Sequence, residues 1–146
     1  MEIKSTSIGH ELNNIMIAGD VITYTSFMAS KKAGWWQNVH TGEDYVAIVR
    51  DPENRFGKAL VAEKLALIHS EVSEALEGAR KNKMDEHLTH RKSIEVELAD
   101  AVIRIGDLCG ALGLDLGGAI AEKMEYNASR ADHKIENRAA EGGKAF

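Results

Sequence analysis

Two acidic pairs carry the most chemistry in this chain: Glu71-Val-Ser-Glu74 and Glu97-Leu-Ala-Asp100. Residues three apart on a helix project from one face, so each pair forms one side of a clamp. If the two helices pack antiparallel, the four carboxylates converge. Without a cation the like charges then repel, and at least one acid stays protonated. Hard oxygen ligands of this kind suit Mg2+, or Mn2+ in its place, rather than zinc or copper. Four carboxylates carry more charge than one ion requires, so two or more ions, or an ion with a general base, are expected. The competing account of such pairs is a solvated helix face, the usual fate of Glu and Asp, and their recurrence in consecutive helices weighs against it.

Magnesium commonly bridges carboxylates to substrate phosphates, which makes a polyphosphate the natural ligand. Positive groups should flank it. Lys123, Asn127 and Arg130 are spaced four and then three residues apart, so on a helix they share a face that can hold phosphate oxygens. The bland account is an outer face on which Lys123 and Arg130 pair with acidic neighbours. Lys144, behind Gly142 and Gly143, could swing onto phosphate or simply belong to a tail. Trp35 and Trp36 are adjacent and must point differently; a base could stack on one of them, or both could anchor a loop. Glu77 extends the first acidic pair by a turn. His87-Leu-Thr-His90 has ligand-like spacing but lies in a charged segment without cysteine, which speaks for a surface loop rather than a transition-metal site. His69 reads as a satisfied core residue. The sequence contains no Glu-x-x-His, as a di-iron bundle would need, and no Walker-type glycine-rich loop.

The elements that must position these residues are helical. Around the acids, Leu65, Ile68, Val72, Ala75 and Leu76, and then Ile94, Leu98, Ala101, Val102, Ile105 and Leu108, recur at spacings of three and four, predicting two amphipathic core helices. The first of these should run from near Ala59 to Lys81. The second should start at Ser93 as N-cap and stop at Gly110 or Gly113. A preceding helix is expected from about Ser7 to Ala33, although the β-branched stretch Val21 to Thr25 could make a strand. A last helix, capped by Asp115, should extend from Leu116 to about Asn137. Between Trp35 and Lys58 the density of Asn, Gly and Asp-Pro marks a long connection with a short strand at Tyr45 to Val49. The end from Glu141 reads as a flexible tail. The whole, residues 1–146, is expected to be one domain.

Composition agrees with an all-α fold. Of 146 residues 44% are hydrophobic, enough for a core, while 5% are aromatic and one is Pro. A formal charge of -5 argues against a phosphate-tracking surface for a nucleic acid polymer. No apolar signal core or membrane-length stretch is apparent, and the single Cys109 lies in an apolar run, so a reducing cytoplasm is expected.

Set in "LALIHSEVSEALEGAR" and "EVELADAVIRIGDL", the two acidic motifs resemble the MazG-like all-α nucleoside triphosphate pyrophosphohydrolases. The stretch "EKMEYNASRADHKIENRAAEGGKAF" is similar to the C-terminal part of small, often phage-encoded members, and "KKAGWW" adds to the likeness. The resemblance spans roughly Lys64 to Phe146. It implies Mg-dependent hydrolysis of a nucleoside or deoxynucleoside triphosphate to monophosphate and pyrophosphate, in a bacterial or phage-infected cytosol. It also implies a bundle of four to five helices completed as a homodimer or homotetramer. By position it makes Glu71, Glu74, Glu97 and Asp100 the metal ligands, and Lys123, Asn127 and Arg130 the phosphate contacts. Within that scheme Glu74 is the candidate to orient or deprotonate the attacking water, and Trp36 or Trp35 to close over the base. A purine deoxynucleotide such as dGTP is the expected substrate, with dUTP or dCTP, or a module that binds a nucleotide without cleaving it, as the rivals. The connection from Gln37 to Lys58 is longer than compact members need, which would remodel the base pocket.

Overall fold

A computed structural model describes residues 3–143. Helix accounts for 73% of the chain, and no strand forms among the described residues, so the fold is all-α. In chain order the helices are α1 (Ile3–Lys32), α2 (Tyr45–Arg50), α3 (Arg55–Lys81), α4 (Ser93–Leu112), α5 (Leu116–Ser129) and α6 (Ile135–Ala139), with a 3-10 turn at Ala131–His133 before α6. The chain divides into two compact units. One contains Val21–Leu114; the other contains the part of α1 up to Asp20 together with the chain from Asp115 onward.

In the first unit α3 and α4 form the central hairpin. Asn54 caps α3 by accepting from the Gly57 amide at 3.0 Å, an interaction that stabilises a helix start by about 1 kcal/mol. Gly113 ends α4 in the left-handed region at φ 71°, where a side chain would be strained. The carbonyls of Gly110 and Ala111 at that end are satisfied by Arg50 of α2, at 3.2 and 2.7 Å. The antiparallel sense follows from the contacts: Gly78 meets Ser93, Glu71 meets Arg104, and Lys64 meets Asp107. Trp36, Val46, Val49, Leu108 and Ala111 form the buried core, with Phe27, Leu60, Val61 and Ile68 against it. The approach of α1 to α4 depends on Gly110, where a Cβ would stand 2.5 Å from the Cβ of Phe27.

Several local expectations change. Tyr45 to Val49 is helical, not a strand. Asp44 accepts from the Val46 amide at 2.8 Å, and helical geometry buries Val46 and Val49 together, which outweighs their β-branched preference. Val21 to Thr25 likewise stays inside α1. The connection after Trp35 is ordered: Asn38 Oδ1 accepts from the amides of His40 and Thr41, Gln37 bridges to Asp44, and α3 begins at Arg55 rather than Ala59. Lys92, not Ser93, occupies the N-cap of α4.

The apolar stripes of α3 and α4 are only partly covered. Ala75, Ala101 and Leu108 are buried, whereas Leu65, Val72, Leu76, Leu98, Val102 and Ile105 are exposed. Two helices can cover only one side of each other, and these stripes are wider than that side.

In the second unit α1 and α5 come together at the buried Gly19 and Gly117. Asp115 caps α5 as expected, accepting from the Gly118 amide at 2.8 Å. The helix stops at Ser129 instead of continuing to Asn137. Arg130 is extended at ψ 135°, and the Asn137 side chain donates to the Ala131 carbonyl at 2.6 Å. Past Met124 the sequence offers no apolar stripe to hold a continuous helix, and local polar bonds take over.

Candidate metal centre and adjoining cavities

All four acids of the paired motifs lie on the α3–α4 hairpin. The antiparallel register brings Glu71, Glu97 and Asp100 together so that one carboxylate oxygen of each lies within 4.8 Å of the others. Glu74, one turn on from Glu71, stays exposed and lines the same cavity, of about 650 Å³. The hairpin's connecting segment forms the facing wall, contributing Lys83, Asp85 and His87. Asp85 is held below its usual range by amide bonds from Leu88 and His87. His87 therefore lies in a surface loop that borders the acids, and among the described residues the only group fit for a metal is the acidic triad.

Electrostatically the cluster is frustrated. Burial and then the charges of Glu74, Glu71 and Asp100 push the Glu97 carboxyl above its ordinary range, with a hydrogen bond to Glu71 acting in the same direction. Glu71 is 6% exposed, and its Oε1 is paired with Arg104 Nε at 2.7 Å. Three convergent carboxylates drawn from two helices, with Glu97 disfavoured in its ionised form by the charges beside it, fit a hard divalent cation; they do not by themselves select Mg2+ over another such ion.

A second cavity, of about 940 Å³, shares Asp100 with the first and is lined by Trp35, Tyr45, Phe56, Lys64 and Arg104. The two tryptophans divide as their adjacency requires. Trp35 is 70% exposed on this cavity. Trp36, the expected base-stacking residue, is instead 2% exposed in the core, so its ring has no free face to offer a ligand. Its Nε1 donates to Asp107 Oδ1 at 2.6 Å, Phe27 packs edge-on against it, and Lys64 Nζ sits 4.5 Å from its ring and 3.6 Å from Asp107 Oδ2. Sequence reasoning passed over Lys64, Arg104 and Asp107. The signal was present: Arg104 and Asp107 are charges at helical spacing after Asp100 inside an otherwise apolar run.

Lys123, Asn127 and Arg130 belong to the other unit. Lys123 and Asn127 share a face of α5, with the Lys123 ammonium 4.7 Å from the Tyr126 ring centre and the Asn127 Oδ1 buried without a hydrogen-bond partner. Arg130 falls at the C-cap, where Asp132 takes both its Nε and Nη2, at 2.9 and 2.5 Å. Lys144 lies outside the described residues. Glu77 pairs with Lys81, and His69 is exposed, not a core residue. Burial pushes the Cys109 thiol up, which disfavours a thiolate nucleophile.

No family model, curated protein or solved structure matches this chain. No helix among the described residues is long and apolar enough to cross a membrane.

Proposed function

We propose that this protein hydrolyses a nucleoside or deoxynucleoside triphosphate to the monophosphate and pyrophosphate in a Mg-dependent reaction, as its resemblance to MazG-like pyrophosphohydrolases suggests. The observation that carries this is the convergence of Glu71, Glu97 and Asp100 to within 4.8 Å in a cavity that Glu74 also lines. Those acids would hold divalent ions, which supply charge neutralisation on the triphosphate and a lowered pKa for water. Glu74, exposed to the cavity and outside the triad, is the residue this proposal assigns to accept a proton from the attacking water. The water oxygen bonds to the α-phosphorus, the bond from that phosphorus to the bridging oxygen breaks, and pyrophosphate leaves. Lys123, Asn127 and Arg130 are assigned to phosphate by position in the resembling motif, and Lys144 to the same role from the tail. For the base the exposed ring of Trp35 replaces Trp36, with Tyr45 and Phe56 on the same cavity. A purine deoxynucleotide such as dGTP is the preferred substrate in this proposal.

The active form is proposed to be a homodimer or a dimer of dimers. Leu65, Val72 and Leu76 on α3 and Leu98, Val102 and Ile105 on α4 leave the hairpin with two uncovered apolar stripes. A second copy of the same hairpin would close them into a four-helix bundle with isologous contacts.

The deciding experiment is mass-resolved product analysis with each common NTP and dNTP, with Mg2+ and with a chelator. The proposal expects Mg-dependent monophosphate and pyrophosphate, and a fall of about two or more orders of magnitude in turnover for Glu74→Gln. Diphosphate and orthophosphate as products refute attack at the α-phosphorus. Survival of every triphosphate refutes hydrolysis and leaves a nucleotide-binding module.

A further inference from the structure

The ion pair between Glu71 and Arg104 has a further role at this site. A carboxylate that is 6% exposed must have a partner, because an unpaired buried charge is expensive. Arg104 is that partner at 2.7 Å, yet its own side chain is 41% exposed, so it can withdraw without disturbing the core. Lys64, by contrast, is 16% exposed and held between Asp107 and Trp36. Arg104 lines the second cavity together with Asp100, a member of the acidic triad and the residue common to both cavities. Glu63 and Trp35 line that cavity too, so a guanidinium that leaves Glu71 finds there a carboxylate to face and an indole to stack on.

We infer, on the premise of the metal site proposed above, that Arg104 is the resident counter-ion of Glu71 and is exchanged for the incoming divalent ion. A guanidinium and a dication cannot both sit on Glu71 without repelling each other. Loading of the acidic cluster therefore releases Arg104 toward the cavity of Trp35, Tyr45 and Phe56, where its planar donor fork is offered to an anionic or aromatic ligand. The exchange imposes an order in which the cation precedes the nucleotide. It also makes Arg104 a positioning residue that links the two cavities.

The test is titration of the nucleotide-free protein with MgCl2, followed by calorimetry and by tryptophan emission, for the wild type, Arg104→Met, Arg104→Lys and Trp35→Phe. Removing the competing charge should tighten Mg2+ binding by about tenfold in Arg104→Met, the scale of one unit charge acting on a nearby dication through water-like screening. Arg104→Lys, which holds a carboxylate by a point charge and not a fork, should bind more tightly than wild type by a smaller factor. Wild-type emission should change with Mg2+ along the binding curve, and this change should be lost in Trp35→Phe and in Arg104→Met. Equal or weaker Mg2+ binding in both folded Arg104 variants overturns the exchange while leaving the metal site standing. If Arg104→Met does not fold, Arg104→Lys and the wild-type emission decide by the same criteria. Mg2+ binding without any change at Trp35 overturns the link to the second cavity. No Mg2+ binding by the wild type or any variant overturns the inference and the metal site together.

Discussion

Replacing Trp36 by Phe should cost far more than replacing its neighbour Trp35, and the amount follows from contacts. Trp36 is 2% exposed, and its Nε1 donates to the buried Asp107 carboxylate at 2.6 Å. A hydrogen bond to a charged group of this kind contributes about 1.5–3 kcal/mol, because the carboxylate left behind cannot recover water. The smaller ring also leaves a void, adding about 1 kcal/mol. The weaker cation–π attraction of Lys64, now 4.5 Å from the indole, adds about 0.5 kcal/mol. The expected loss is about 3–4.5 kcal/mol, which lowers Tm by about 10–15 °C for a chain of this size. Trp35→Phe, on an exposed ring, should stay within about 0.5 kcal/mol. Urea unfolding of Trp36→Phe, Asp107→Asn and the double variant measures the coupling, expected to exceed about 1 kcal/mol. A Trp36→Phe loss below about 1 kcal/mol, or strict additivity in the cycle, would refute the claim that this bond anchors the loop to α4.

The raised pKa of Glu97 fixes the sign of a pH effect. Its stabilisation of the fold is fully present below the unfolded value near 4.5 and is lost as pH rises through the higher folded value. Metal-free stability should therefore fall with pH between those two values relative to Glu97→Gln in parallel denaturant titrations; identical pH profiles would count against repulsion of Glu97 by its acidic neighbours. Added Mg2+ at about 100 times its Kd should restore about 2.7 kcal/mol to the wild type at neutral pH, read as a rise in Tm that Glu97→Gln largely lacks. Gly110→Ala should destabilise by about 1–3 kcal/mol, since its Cβ would stand 2.5 Å from that of Phe27; a neutral effect in thermal melts would show that α1 yields easily. Val72→Glu combined with Val102→Glu should shift the protein to monomer in light scattering. An unchanged mass would show that these stripes are not the interface.

Much of this was legible in the residues themselves. The i, i+3 acidic pairs and the three- and four-residue apolar spacing placed α3 and α4, because both signals are local, and three of the four carboxylates expected to converge do so, Glu74 staying outside the group. Asp115 and Gly113 marked helix ends for the same reason. The short helix α2 was hidden because Tyr45 to Val49 is β-branched and aromatic, and only Asp44 and burial against α3 and α4 decide its state. The separate fates of Trp35 and Trp36 depend on Asp107, 71 positions away from Trp36, a pairing that no local pattern encodes. Arg104 was overlooked because a lone cation in an apolar stripe carries no motif, although Glu71 determines its place.

The hairpin that carries the four acids also bears on how the protein is made. Its two helices are joined by residues 82–92 alone, and Ser93 donates its amide back to the Lys83 carbonyl at 3.0 Å, so closing it costs little chain entropy. Sequence-local pairings of this kind form quickly. On a ribosome, every carboxylate of the cluster precedes α5 in the chain, so all four emerge before that helix does. The nascent chain thus acquires a concentrated negative centre early, which a divalent ion held at the proposed site would neutralise as the hairpin closes.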